Sequence, residues 1–197
     1  MLVLDYLTVA LFTTWCASEI VISLISHRNR SRGLSDSADR FSHFFVWLAT
    51  VPPIGFAILI RDHRIFANGF GGLSTLFPLP GYLGCLLMAL GITIRLVAVA
   101  TLKRQFTVNV SIIEKHEIVD TGIYGKVRHP AYLGLLASLL GMGLASENWL
   151  SLVMLIVLPL AATLYRIHVE ERALLRHFGP AYQAYANRTK RLLPGIW

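Results

Sequence analysis

Two short polar clusters interrupt a mostly apolar chain of 197 residues, and their residue types could do chemistry together. The first runs from Gly122 to Pro130 and reads Gly-Ile-Tyr-Gly-Lys-Val-Arg-His-Pro. The second, about forty residues later, runs from His168 to Arg172 and reads His-Val-Glu-Glu-Arg. The residues between them are almost all apolar, so a hairpin of two membrane crossings would return both clusters to one surface. Together they would form a polar site at a membrane face.

The first cluster has the features of an anion-binding corner. Proline is well suited to the first position of a helix, so a helix is predicted to begin at Pro130. His129 then lies near the N-cap, Tyr132 lies in the first turn, and free backbone N–H groups point outward beside Arg128. A carboxylate is a natural ligand for such a corner.

The second cluster is complementary in charge. The carboxylates of Glu170 and Glu171 can accept hydrogen bonds from ribose hydroxyls or from an ammonium group. A site that offers cationic and anionic groups together suits a zwitterion attached to a nucleoside.

Each cluster alone also has a purely structural interpretation. Lys126 and Arg128 could mark a cytoplasmic loop. Arg166 and Glu170, four residues apart, could pair on a helix surface, and residues 170–172 could form a solvated helix end.

Composition places the chain in the membrane class. Hydrophobic residues make up 55% and charged residues 15%, whereas soluble domains average about 25% charged residues. The net charge of +7 could suggest nucleic acid, but the basic residues stand in short blocks beside apolar runs, as in cytoplasmic membrane loops. Cys16 and Cys85 lie in apolar runs and indicate neither a disulfide framework nor a zinc site, and no histidine has a metal-ligand spacing. We therefore predict no metal and no nucleic-acid partner.

Five apolar segments are predicted to cross the membrane, namely residues 2–26, 41–60, 80–101, 131–146 and 149–168. The first is interpreted as a retained span rather than a cleaved signal, because no basic leader or Ala-x-Ala site accompanies it. Pro52 and Pro53 predict a kink or a break into half-helices within the second. The short joint at residues 146–148 makes the last two spans antiparallel neighbours.

Basic residues orient the predicted bundle. Fifteen Lys and Arg residues fall on one side and two, Arg61 and Arg64, on the other. The positive-inside rule then puts the N-terminus outside and both polar clusters in the cytoplasm.

Residues 169–189 are predicted to form a cytoplasmic amphipathic helix, interrupted at Gly179-Pro180. Its apolar positions recur at helical spacing. They are Leu174, Leu175, Phe178, Tyr182 and Tyr185.

Arg95 is a charged residue well inside the third span. Such a charge usually faces the protein interior, although it could also snorkel to the cytoplasmic surface about two turns away. We favour a functional role, such as contact with a substrate carboxylate.

Small residues four apart in the fourth span could pack a partner chain, but packing against the fifth span is the preferred interpretation. These pairs are Gly134 with Ser138 and Gly141 with Ala145. They leave the oligomeric state open.

The second half of the chain resembles the isoprenylcysteine carboxyl methyltransferase family and the related phospholipid methyltransferases. Several residue types at fixed spacing carry this resemblance, from about residue 95 to the end. The first stretch is His116-x-Ile118-Val119-x-x-Gly122-Ile123-Tyr124-x-x-Val127-Arg128-His129-Pro130-x-Tyr132-x-Gly134. The later stretches are Glu170-Glu171-x-x-Leu174-x-x-x-Phe178-Gly179-x-x-Tyr182-x-x-Tyr185 and Arg191-Leu192-Leu193-Pro194.

The resemblance implies an integral membrane methyltransferase that uses S-adenosylmethionine in a cytoplasmic pocket. The pocket would be lined by residues carried over from the family's motif, namely His116, Gly122, Tyr124, His129, Pro130, Tyr132, Glu170 and Glu171. It would not be a Rossmann site, because no G-x-G-x-x-G follows a strand. Arg128 or Arg95 could hold an acceptor carboxylate, which needs no general base.

We therefore expect a single all-α integral membrane domain over residues 1–197, with about five transmembrane helices. Residues 1–101 would form the acceptor side, and residues 102–197 the methyltransferase region. The acceptor would be lipophilic, enter from the bilayer and, most simply, be a prenylated cysteine carboxylate. The alternatives are a phospholipid amine or small-thiol methyltransferase, a sterol-type reductase that uses another nucleotide cofactor, and a non-enzymatic membrane scaffold.

Overall fold

The computed structural model describes residues 2–30, 33–35, 37–63, 79–106, 111–113 and 118–193, which are mostly helical. Within them, six α-helices follow one another along the chain. They are α1 (Leu2–Arg30), α2 (Ser37–His63), α3 (Leu79–Leu102), α4 (Pro130–Ala145), α5 (Trp149–Phe178) and α6 (Pro180–Arg188). Two three-residue strands that were not predicted, β1 (Gly33–Ser35) and β2 (Ser111–Ile113), pair antiparallel, with Gly33 opposite Ile113. The predicted all-α membrane class is confirmed.

Three of these helices are long and apolar enough to cross a membrane: Val3–Arg28, Leu79–Leu102 and Trp149–Phe178. The apolar parts of α2 and α4, Phe44–Leu59 and Pro130–Ala145, are shorter. A 16-residue helix is about 24 Å long, against roughly 30 Å of hydrocarbon. The exact number of five spans therefore stays a prediction.

The second helix passes through both of its prolines. The structure assigns one continuous helix from Ser37 to His63, with Pro52 and Pro53 inside it. Of the two predicted outcomes, a break into half-helices was therefore wrong, and a kink stays a prediction. In lipid a helix break would expose additional backbone groups that have no water to bind, which favours keeping the helix intact.

The amphipathic helix over residues 169–189, predicted with an interruption at Gly179-Pro180, is divided into two elements at that point. Its first half continues α5 as far as Phe178, and its second half is α6. Gly179 separates them with a φ of 52°, a left-handed conformation that glycine adopts without strain, and Pro180 begins the next helix.

Contacts between the helices fix their relative directions. Thr8 contacts Cys85 and Glu19 contacts Arg95, so α1 and α3 run parallel. Between α3 and α4 the order is reversed, since Gly84 faces Gly141. The third and fourth helices are therefore antiparallel.

Glycines bring α3 and α4 into backbone contact. A Cβ placed on Gly91 would lie 2.5 Å from the backbone nitrogen of Ser138, and one on Gly134 would lie 2.7 Å from that of Arg95. A Cβ on Gly141 would lie 2.5 Å from the backbone oxygen of Gly84. The preferred interpretation of the small residues in α4 was thus wrong: Gly134, Ser138 and Gly141 pack against the third helix and not the fifth.

A hydrophobic core joins the first five helices at mid-height. It contains buried side chains from α1 to α5, including the fully buried Met88, Leu139 and Leu155. Large apolar side chains also cover the outer surfaces of the helices, as suits a lipid environment. Packing in this core holds the start of α4 and the end of α5 side by side, where the two polar clusters lie.

Candidate active site

The predicted helix start and N-cap position of the first polar cluster are confirmed, whereas its backbone N–H groups as an anion site stay a prediction. Pro130 occupies the first helical position and His129 is the N-cap residue. The backbone nitrogens of Tyr132 and Leu133 both donate to the backbone oxygen of His129, at 3.1 Å. A short 3₁₀ turn over Gly122–Gly125 precedes this corner, and Gly122 begins it with a φ of 59°.

The chain after α6 pairs with this corner through an isolated parallel β-bridge between Val127 and Lys190. The backbone nitrogen of Arg128 donates to the oxygen of Lys190 at 2.7 Å, and that of His129 donates to the oxygen of Arg191 at 3.0 Å. The backbone nitrogen of Lys190 in turn donates to the backbone oxygen of Lys126 at 3.1 Å. The C-terminal segment is thereby fixed against the start of α4.

Glu171 is the centre of a charged cluster. Its Oε1 accepts a hydrogen bond from Nε of Arg128 at 2.8 Å and lies 3.4 Å from Nε2 of His129. Its Oε2 accepts from Nε of Arg191 at 2.9 Å. The hairpin therefore brings the two polar clusters together, as the sequence predicted, and adds Arg191 from the C-terminal segment.

Arg128 also closes the C-terminal end of α6. Its Nη1 donates to the backbone oxygens of Ala186, at 2.8 Å, and of Thr189. One guanidinium thus joins the carboxylate of Glu171 to helix-end carbonyls that have no partner within the helix.

Glu170 takes part in a second polar network beside the first. The hydroxyl of Tyr132 donates to Oε2 of Glu170 at 2.9 Å and accepts from Nε of Arg166 at 3.2 Å. Arg166 is only 2% exposed. The first turn of α4 is therefore linked through Tyr132 to two residues one helical turn apart on α5.

Three buried tyrosines surround these networks and remain protonated. Burial raises the pKa of Tyr185 to about 12, although Arg128 acts to lower it, and its hydroxyl donates to the backbone oxygen of Tyr124 at 2.9 Å. Burial, together with Glu170, also raises the pKa of Tyr124. Burial and the nearby Glu171 raise the pKa of Tyr182. All three hydroxyls are hydrogen-bond donors at neutral pH.

A cleft of about 370 Å³ opens between the end of α5 and α6. Its lining combines cations, a carboxylate and neutral polar groups, and includes Arg128, Glu171, Arg172, Tyr182, Gln183 and Arg191. The buried hydroxyl of Tyr182 has no hydrogen-bond partner within the part of the chain that the structure describes. A buried hydroxyl without a partner is costly, so a ligand atom that bonds to it would stabilise the complex.

Arg95 lies deeper, between α1, α3 and α4. Its Nε and Nη2 bond to the two carboxylate oxygens of Glu19, the Nη2 contact being 2.8 Å long. Its Nη1 donates to the backbone oxygen of Ala131 at 3.0 Å.

The predicted site residues are only partly brought together. Tyr124, His129, Pro130, Tyr132, Glu170 and Glu171 lie around the corner described above, whereas Gly122 is at the surface and His116 lies outside the described residues. Arg128 and Arg95 each have a carboxylate partner from the protein, and their roles toward an acceptor stay predictions. Over the described ranges, no three His, Cys, Asp or Glu side chains are grouped to hold a metal ion.

Sequence reasoning missed four residues of these networks. Arg191 was quoted only within a motif, Arg166 only as a partner for Glu170, and Tyr182 only as an apolar position and as part of a motif. Glu19 was not considered, although an acidic residue inside an apolar span was a signal that could have found it.

The fold and the site together define a helical membrane protein with a polar cleft at the end of a helical hairpin. A sequence model of the family described as "Phospholipid methyltransferase" matches residues 80–181, about half of the chain.

Named relatives are more specific. The chain is 37% identical over 142 residues to the "Protein-S-isoprenylcysteine O-methyltransferase" of Saccharomyces cerevisiae, a match that covers 71% of this chain and 57% of the yeast protein. It is 30% identical over 153 residues to a "Probable protein-S-isoprenylcysteine O-methyltransferase" of Oryza sativa subsp. indica, with 71% of this chain and 80% of the rice protein covered.

One solved structure is similar in sequence and fold. It is described as the eukaryotic intramembrane Ras methyltransferase ICMT (isoprenylcysteine carboxyl methyltransferase). Its TM-score is 0.56 at 25% identity, with 74% of this chain and 53% of that chain covered. The chain thus spans little more than half the length of the yeast relative and of this structure.

The chain belongs to the phospholipid methyltransferase family, within its isoprenylcysteine carboxyl methyltransferase group.

Proposed function

We propose that this protein transfers a methyl group from S-adenosylmethionine to the carboxylate of a prenylated cysteine. The observation that carries the proposal is the position of Glu171 between Arg128 and Arg191. It puts carboxylate and guanidinium groups side by side at the end of a membrane hairpin, in a chain whose relatives are named isoprenylcysteine methyltransferases.

The donor and acceptor groups present fit the cofactor. Glu170 and Glu171 offer carboxylate oxygens for an ammonium group or ribose hydroxyls, and the arginines of the cleft offer N–H groups for a carboxylate. The buried hydroxyl of Tyr182, which has no partner among the described residues, supplies a further donor. The predicted ligands Gly122, Tyr124, His129, Pro130 and Tyr132 would complete the pocket from the α4 side.

Positioning and exclusion of water would carry the catalysis. Bound S-adenosylmethionine supplies an electrophilic methyl group on a sulfonium, and an ionised carboxylate can accept it without losing a proton. Arg128 would hold the acceptor carboxylate while its Nε keeps the bond to Glu171, and Arg95 is the second candidate for that role. The buried floor around His129 and Tyr132 would keep water from the reacting groups.

The same basic residues that orient the predicted bundle support a cytoplasmic site. Because α1 runs parallel to α3, and α4 runs antiparallel to α3, one face of the bundle contains four helix ends: those of α1, α3 and α5, and the start of α4. Most of the basic residues lie near these ends, which by the positive-inside rule indicates the cytoplasmic side. We propose that this face is cytoplasmic, that the N-terminus is outside, and that the lipophilic acceptor enters from the bilayer.

Calorimetric titration of the detergent-purified protein with S-adenosylmethionine and S-adenosylhomocysteine tests the cofactor. Saturable binding that His129→Ala weakens, while His27→Ala on the exposed surface of α1 leaves it unchanged, supports the pocket. If a folded sample binds neither compound, the methyltransferase proposal fails, and nicotinamide cofactors and the scaffold alternative become the next candidates.

The acceptor is tested with methyl-labelled cofactor and N-acetyl-S-farnesylcysteine, with its methyl ester as the matched control. Carboxylate methylation predicts label in the free acid only, released as methanol by alkali. Label in neither compound would contradict the proposed acceptor.

A phospholipid amine is the second candidate acceptor, favoured by the family model that matches residues 80–181. An amine must lose a proton before or during methyl transfer, and Glu170, Glu171 or His129 could accept it. Alkali-stable label in phosphatidylethanolamine vesicles would support this candidate.

A further inference from the structure

Glu19 and Arg95 form a bidentate ion pair within the apolar helices. Both carboxylate oxygens of Glu19, on α1, bond to Arg95, on α3. Arg95 is 9% exposed, and the Glu19 side chain is 25% exposed. The plane of the guanidinium is therefore fixed by a residue from a different helix.

The third contact of Arg95 reaches the helix that bears the first polar cluster. Its Nη1 donates to the backbone oxygen of Ala131, the second residue of α4, at 3.0 Å. Ala131 lies between Pro130 and Tyr132, and Tyr132 bonds to Glu170. A continuous set of hydrogen bonds thus leads from α1 through Arg95 to the first turn of α4.

Packing around this contact leaves little freedom for another arrangement. A Cβ on Gly134 would lie 2.8 Å from the Cβ of Arg95, so α4 lies directly against the arginine. Next to it, Ile22, Val99 and Phe106 form a buried apolar cluster on which Ala131 packs. The first turn of α4 is held by this cluster and by one directional bond from Arg95.

A gain in stability alone does not readily explain the presence of such an ion pair. The free energy needed to remove two charges from water is about as large as the free energy gained from their attraction, and apolar pairs of similar volume are often as stable. An ionisable residue within a span more often serves a functional site.

We propose that Glu19 is a positioning residue of the methyl-transfer site, which acts by fixing Arg95 and, through Ala131, the first turn of α4. This inference rests on the proposed function, since the turn concerned carries His129 and Tyr132. Glu19 itself would touch neither cofactor nor acceptor.

Three variants test the inference in detergent-purified protein. Glu19→Gln keeps the shape of the side chain but removes its charge, and the double variant Glu19→Leu/Arg95→Met replaces the pair by apolar groups. Glu147→Gln, in the loop between α4 and α5 at the other end of the bundle, is the matched control. Each is assayed for melting temperature, affinity for S-adenosylhomocysteine, and kcat and KM with N-acetyl-S-farnesylcysteine.

We expect the double variant to melt near the wild-type temperature but to lose about tenfold in kcat, because small displacements of positioning groups have effects of this order or larger. Glu19→Gln should fall between it and the wild type, and Glu147→Gln should match the wild type. A role in stability alone would lower the melting temperature and leave kcat and affinity unchanged.

Wild-type kcat and affinity in both Glu19 variants, with an active wild-type protein, would overturn the inference and leave the proposed function intact. If the double variant does not fold, Glu19→Gln decides by the same criterion. A wild-type protein that neither binds the cofactor nor turns over would refute the proposed function, and this inference with it.

Discussion

Replacing Glu171 by alanine should both destabilise the protein and weaken cofactor binding. The substitution removes the carboxylate that bonds to Arg128 at 2.8 Å and to Arg191 at 2.9 Å. The Arg128 side chain is only 9% exposed, so its charge would remain largely buried without its carboxylate partner.

The expected loss of unfolding free energy follows from these exposures. Removing one partner of a buried ion pair costs about 3 to 5 kcal/mol, and the lower end applies because Arg128 keeps its bonds to Ala186 and Thr189. The Arg191 side chain is 39% exposed, and such a pair adds roughly 0.5 kcal/mol or less. The sum, about 3 kcal/mol, corresponds to a fall in melting temperature of about 10 °C for a chain of this length.

Scanning calorimetry in one detergent at a fixed scan rate measures this shift, because unfolding of such proteins is often irreversible. Asp120→Ala is the matched control: its partner Arg188 lies in an exposed pair, so it should change the melting temperature by only about 2 °C. Titration of the folded Glu171→Ala protein with S-adenosylhomocysteine should show at least a tenfold loss of affinity, by about 1.4 kcal/mol or more. A Glu171→Ala protein that melts like the control and binds like the wild type would refute the assignment of Glu171 as the centre of the site.

Three further substitutions test other parts of the structure. Gly91→Ala should lower the melting temperature markedly, because the new Cβ would lie 2.5 Å from the backbone of Ser138. The control Gly55→Ala adds a Cβ with nothing within 4 Å and should be neutral or stabilising, so equal melting temperatures would contradict the close packing of α3 and α4. Tyr182→Phe should leave the melting temperature unchanged or raised, but should weaken S-adenosylhomocysteine binding about fivefold in calorimetric titration, because the buried hydroxyl is proposed to bond to the ligand. Unchanged affinity would exclude that bond. Asn148→Ala should lower the free energy of unfolding by about 1 kcal/mol in thermal melts, because the Asn148 side chain caps α5 by accepting from the backbone nitrogens of Leu150 and Ser151 at 3.0 and 3.1 Å. An unchanged free energy of unfolding would show that the cap is replaceable.

The hairpin and its polar end could be predicted because their signals are local. Pro130 marks a helix start by its fixed φ, and the Ser146-Glu147-Asn148 joint is too short for anything but an antiparallel neighbour. Once these two features are fixed, the start of α4 and the end of α5 must lie together.

Contacts between distant segments could not be predicted in the same way. The helical spacing of the small residues in α4 predicts a face on which another helix can pack closely. It does not indicate whether that helix is α3 or α5. Likewise, the partner of Arg95 depends on the parallel alignment of α1 and α3, which places Glu19 beside it. Both questions are decided by which helices pack together, and that is a property of the whole bundle.

The arrangement also explains why no single stretch of the sequence specifies the site. Glu171 comes from α5, Arg128 precedes α4, and Arg191 arrives on the segment after α6, where backbone pairing with residues 126–129 fixes it. The cationic groups around Glu171 therefore assemble only when the hairpin has formed and the C-terminal segment has paired with it. On this argument the residues after α6 belong to the site as much as the motif before α4. Their contribution is structural and electrostatic at once, because the same few residues hold the backbone in place and supply a charge to Glu171.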